Sequence, residues 1–193
     1  MSRLPLNKPG GAQHGFTLLE ILITVIVVAI GLLGLAGLQV TSLRYNHQAY
    51  LRGQVTMQAA DIVDRMRANM AGADSYLFDD ARKSFAQLGT AKANCEKLDS
   101  CTAQDMALND LYRWNQMNRA NLPGGAGIVC RDSTPQDGVF DAAGDKISSS
   151  GCDNADNAWV VKIWWIEDER RANADTSTPN VRFYATSLGT LGN

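Results

Sequence analysis

The chain has 193 residues, a formal net charge of −2, 45% hydrophobic and 20% charged residues. That length holds one domain of ordinary size plus whatever an apolar segment adds, and so small a charge excludes the strongly basic footprint of a nucleic-acid binder. Removing residues 1–15, whose only charges are Arg3 and Lys8, lowers −2 by two to −4, so the remainder is mildly acidic and nucleic acid is not an expected partner.

The first 15 residues also hold two prolines, a Gly-Gly pair, His14 and Gly15. From Phe16 to Leu38 the chain is apolar except for Glu20, and about 23 residues suffice to cross a hydrocarbon core of about 30 Å as a helix. Positive charge before the run and none inside it puts the leader in the cytoplasm and the bulk of the chain across the membrane. No Ala-x-Ala-like cut follows the run, as a secretory signal would require. A carboxylate inside such a segment is costly and marks function with a partner. The alternatives the residues themselves leave open are a plain single-pass anchor and an acid that snorkels to the headgroups.

The motif Gly15-Phe16-Thr17-Leu18-Leu19-Glu20 resembles the class III signal of type IV prepilins and of the related pseudopilins of type II secretion. The resemblance implies a prepilin peptidase that cuts between Gly15 and Phe16 and methylates Phe16. Glu20 becomes the fifth mature residue, the family's glutamate position, and Thr17 stands with it in the assembly segment. In a bundle of helices a lone carboxylate is costly; the terminal amine of a neighbouring subunit would offset that cost. The run Gly-Leu-Leu-Gly-Leu-Ala-Gly-Leu-Gln (31–39) further resembles the PilV-type minor pilins.

No proline lies between Pro9 and Pro123, and the helical pattern runs from Phe16 to about Met70, where Ala71-Gly72-Ala73-Asp74 reads as a stop. Beyond Leu38 the apolar positions thin to Leu43, Leu51, Val55, Ala59, Ile62, Met66 and Met70, from Leu51 at spacings of three and four. That is one stripe of an amphipathic helix packed on the following domain. Gly31, Gly34 and Gly37 each cost the helix roughly 0.5–1 kcal/mol relative to alanine, and they mark its most compliant stretch; they do not form GxxxG. The expected organisation is a removed leader (1–15), a membrane and filament-core half-helix (16–38), an amphipathic half-helix (39–72) and a globular domain (73–193).

Four cysteines, Cys95, Cys101, Cys130 and Cys152, all follow the apolar run, and an even number in an exported segment reads as disulfides. Three connectivities exist. Neighbours in sequence close loops most easily, which favours Cys95–Cys101 and Cys130–Cys152; the second loop would contribute about 3 kcal/mol in the chain-entropy model. Zinc spacing is absent.

In the globular domain Thr102, with Asp105 three positions on, resembles a capping box opening a helix to about Asn118 with Leu108, Leu111 and Tyr112 on one side. Short strands follow at 127–131 and 139–140, then a polar loop over 141–157. The clearest strand is 159–166, apolar on both faces: one face should pack on the long helix, the other under loops or a neighbouring subunit. A last strand, 181–186, follows a polar loop (Glu167 to Asn180) and pairs with it antiparallel. The fold class is therefore α+β: a long N-terminal helix on a small antiparallel sheet, disulfide-stabilised, which is the pilin-type arrangement.

No catalytic constellation emerges. His14 and His47 have no nucleophile beside them, the stretch 153–157 fails the EF-hand spacing, and no phosphate-binding glycine loop occurs. Trp159, Trp164 and Trp165 read as core or interface rather than a stacking platform. No enzyme activity, cofactor or metal is expected. The resemblance implies a minor pilin of a bacterial type IV pilus that helps to initiate assembly, with a prepilin peptidase, other minor pilins, the major pilin and the inner membrane as partners. Alternatives are a minor pseudopilin of type II secretion and a pilus-tip ligand-binding or adhesion subunit.

Overall fold

The computed structural model describes residues 15–79, 83–97, 100–154, 158–168 and 180–189. The leader up to residue 14, residues 155–157 of the Asp-Asn stretch and 169–179 of the loop before the last strand lie outside the described residues. Two compact units make up the chain, Met1–Asn46 and His47–Asn193.

Helix α1 (Leu18–Ala68) starts in the first unit and ends in the second. It begins two residues later than the apolar pattern because Thr17 closes its N-terminus. Every residue from 15 to 46 is exposed. In the second unit α1 buries Leu51, Val55, Gln58, Ala59, Ile62, Val63 and Met66, and Ile62 and Met66 are 0% exposed. The expected stripe holds from Leu51 to Met66 and fails at its last residue, Met70, which is 41% exposed; Leu43, ahead of the stripe, is 68% exposed. Leu43 belongs to the first unit, where nothing is covered. Met70 lies past the helix end in a 3-10 segment (Met70–Tyr76), where the helical phase no longer applies.

Helix α2 (Ala103–Asn121) opens on Thr102, whose side chain accepts the Asp105 N–H at 3.1 Å. The buried face is not the expected Leu108–Leu111–Tyr112 side alone but centres on Ala107, Leu111, Trp114, Asn115 and Asn118. Trp114 is fully buried and donates Nε1–H to the Gln58 carbonyl of α1 at 2.8 Å. Its ring lies on Gly127, where a Cβ would fall 2.3 Å from Cη2. The Asn115 side chain brackets Gly127, accepting its N–H at 2.8 Å and donating to its carbonyl at 3.1 Å. A third tie joins Tyr76, which donates to Asp110 at 2.6 Å, and Arg65, which donates to the other oxygen of Asp110 at 3.1 Å. Burial, then the bond to Asp110, pushes the Tyr76 phenol well above its ordinary range.

Strands β1 (Ala126–Arg131), β4 (Trp159–Asp168) and β5 (Asn180–Gly189) form an antiparallel sheet in the order β1-β4-β5. Between β1 and β4 lies a hairpin of β2 (Val139–Asp141) and β3 (Lys146–Ser149). Strand β3 corrects the expectation of a continuous polar loop over 141–157; Ile147 is its one apolar residue, too little for an alternation to show. Trp159, Val161, Ile163 and Trp165 pack with α1 and α2 on one face of the sheet. On the other, Ile128, Cys130 and Trp164 are covered by Phe140 and Ile147 of the hairpin. Trp164 lies between Phe140 and Phe183, with ring centroids 6.5 and 5.2 Å away. The chain's own hairpin therefore covers this face, over a core apolar on both sides. Disulfides join Cys95 to Cys101 and Cys130 to Cys152, with Cα separations of 4.8 and 6.1 Å; the second ties the segment after β3 to β1.

Candidate processing and assembly site

Gly15, Phe16 and Thr17 are exposed and lie outside regular structure ahead of α1, with Phe16 80% exposed and no atom within 4 Å of the space a Gly15 Cβ would take. Thr17 is the last residue before the helix. Its Oγ1 accepts the Glu20 N–H at 3.3 Å, and its carbonyl accepts the N–H groups of Glu20 and Ile21 at 3.1 and 3.3 Å. Thr-x-x-Glu is the capping-box spacing, a signal for helix initiation that lies within the same six-residue motif. The cap sets Glu20 in the first turn, where the helix dipole favours a carboxylate.

From Leu18 onward α1 contains a window of mean hydropathy 2.8, none of it buried, long and apolar enough to cross a membrane. Thr24 and Thr41 satisfy their hydroxyls on the Ile21 and Gly37 carbonyls at 2.8 and 3.0 Å, so neither leaves a polar group bare on the apolar surface. Gly31, Gly34 and Gly37 are helical and in open space. α1 runs through all three without a break in its helical residues.

The other singled-out residues fall outside this segment. Trp159, Trp164 and Trp165 are 5%, 1% and 4% exposed, so their rings face core rather than a ligand. Cys95 and Cys101 flank a loop next to the start of α2, where Lys92 reaches Asp105 at 2.9 Å. Hydrogen bonds from Lys92, then from Thr102 and Asn94, hold the Asp105 carboxyl below the usual carboxylate range. Among the described residues no three His, Cys, Asp or Glu side chains gather to hold a metal.

Residues 11–36 match the prokaryotic N-terminal methylation motif, and residues 37–112 match the family model of type IV pilin Tt1218. The two matches adjoin, and together they take in the exposed helix, its capped start, and the turn and helix packed on it. Over these residues the chain is similar to type IV pilins. No curated protein and no solved structure gives a significant match. The long helix on a small antiparallel sheet with two disulfides is the pilin fold. As a pilin it is a structural subunit rather than an enzyme, and its methylation motif implies processing by a prepilin peptidase.

Proposed function

We propose that this pilin is a minor, PilV-like subunit of a bacterial type IV pilus that helps to prime filament assembly with other minor pilins and the major pilin. The observation that carries the reading is the bare apolar helix opening on a capped Thr17–Glu20 turn inside the methylation motif. The peptidase cuts between Gly15 and Phe16 and methylates the Phe16 amine. Before assembly the apolar half of α1 anchors the chain in the inner membrane with the disulfide-bonded domain in the periplasm. On assembly that half enters the filament core, where the Glu20 carboxylate meets the amine of a neighbouring subunit. Breaking such a desolvated pair by removing one partner costs on the order of 3–5 kcal/mol. Gly31, Gly34 and Gly37 supply compliance during the transfer.

Gly15→Glu tests the cut site. Full-length precursor should accumulate in the membrane, and a normal-sized mature protein would overturn the assignment. Deleting the gene separates the pilus from the secretion reading: loss of surface pili and twitching supports the former, loss of exoprotein release alone the latter.

A further inference from the structure

Lys162 lies mid-strand in β4, opposite Ile128 of β1 and Ala185 of β5, and its side chain is 0% exposed. Its three ammonium protons have three acceptors: Asp137 Oδ1 at 2.7 Å, the Ser150 carbonyl at 3.0 Å and the Asp137 carbonyl at 3.2 Å. The Asp132 carboxyl, also 0% exposed, brings Oδ2 to 2.5 Å from the same nitrogen. That ion pair is closer than any of the three hydrogen bonds. The other oxygen of Asp132 accepts the Thr134 N–H at 3.0 Å and lies 3.4 Å from Thr134 Oγ1, which is also 3.1 Å from Asp137 Oδ2. Gly151 makes room for this approach: a Cβ there would fall 2.1 Å from Asp137 Oδ1. The bond from Lys162 holds the Asp137 carboxyl below its ordinary range, so a charged carboxylate stands beside the Lys162 nitrogen.

We propose that Lys162 and Asp132 join in an intramolecular amide, a covalent tie between the middle of β4 and the residue that follows β1. Lys162 faces two carboxylates, and of the three groups Lys162 and Asp132 are fully withdrawn from water, where charge is costly. One ammonium proton passes to Asp132 Oδ2, leaving a neutral amine and a neutral acid in contact. The amine lone pair, turned by rotation about Cε–Nζ, attacks Asp132 Cγ, and Asp137 removes a second proton from the nitrogen as the C–N bond forms. Negative charge gathers on Asp132 Oδ1, which already accepts the Thr134 N–H at 3.0 Å, a donor placed to stabilise a tetrahedral oxyanion. Asp137 then returns its proton to Oδ2, which leaves as water while the carbonyl reforms at Oδ1. One ammonium and one carboxylate become one amide and one water, with no oxidant, reductant or further reactant. Holding both groups in contact within a folded core is what makes a slow condensation accessible.

Peptide mass spectrometry of the purified full chain, after reduction and trypsin digestion, decides the matter. The expected product is peptide 132–146 joined to 147–170, lighter by one water than the two together, with no cleavage after Lys162. Recovery of linear 132–146 together with cleavage after Lys162 would overturn the proposal. Lys162→Arg, which keeps the charge, and Asp132→Ala should each abolish the joined peptide. In Asp137→Ala the joined fraction in newly made chain should fall by at least about tenfold, as expected on losing a general acid–base group; joining at the wild-type rate would remove Asp137 from the reaction.

Discussion

Between Leu18 and Leu43, α1 leaves its large apolar side chains 51–88% exposed, whereas between Leu51 and Met66 the same helix buries a stripe at 0–6%. Hydrophobicity alone does not separate the two stretches, since both carry Ile, Leu and Val. What differs is the polar remainder. The second stretch alternates its stripe with Arg52, Asp61, Asp64, Arg65 and Arg67, so only one face needs cover. The first is apolar around its whole circumference, and no single protein surface can cover it. A helix of that kind belongs to a membrane span or to the interior of a helix bundle. One element thus holds two kinds of surface, one covered within the chain and one left bare by it.

The largest effect is expected at the junction of exposed helix and cut site. Glu20→Ala should still be processed, because Gly15 and Phe16 are untouched, but should be lost from sheared pili. Wild-type incorporation, read by immunoblot of the sheared fraction, would refute its pairing role. Next comes one substitution made in both halves of α1. Ile62→Ala removes a 0% exposed side chain and should destabilise the body by about 2–5 kcal/mol. Ile26→Ala, at a position 51% exposed, should leave the thermal unfolding of the body unchanged and show itself only in assembly. Equal melting shifts in the two variants would erase the contrast.

A smaller effect is expected with pH, and it should map to the body alone. Asp105 has a folded value below the ordinary 3.8, chiefly through its hydrogen bond from Lys92. The unfolded chain therefore binds more protons than the folded one in this range. The stabilisation is full above the unfolded value of about 4 and is lost as pH falls through the depressed folded value. The melting temperature should hold between about pH 7 and 5 and drop below about pH 4. Asp105→Asn should flatten that drop, and an unaltered acid limb would count against the assignment. The smallest shift is expected from Thr102→Ala, which removes the cap of α2 and should cost about 1 kcal/mol in denaturant unfolding.

Much of this architecture was legible in the residues. The Gly15–Glu20 motif stands at the edge of an uninterrupted apolar run, and residues 159–166, apolar on both faces, are the clearest strand in the chain. Helix α1 needed only two residues of correction at each end. The parts that escaped depend on contacts distant in sequence. Strand β3 has a single apolar residue and is recognisable only from its pairing with β2. The buried face of α2 follows Trp114 and two asparagines, whose polarity hid that Asn115 brackets Gly127 and that Trp114 reaches the Gln58 carbonyl. Lys162 read as one charge in an apolar strand; its partners Asp132, Asp137 and Ser150 come from segments 12 to 30 residues away that converge only when the hairpin docks.

The central claim is that the bare half of α1 is the processed, filament-entering end of a pilin. Mass spectrometry of the N-terminal peptide from sheared pili tests it most directly. The account predicts a peptide beginning at Phe16 with one methyl group on its amine. A chain in the pilus fraction that begins at Met1, or at any residue other than Phe16, would contradict it.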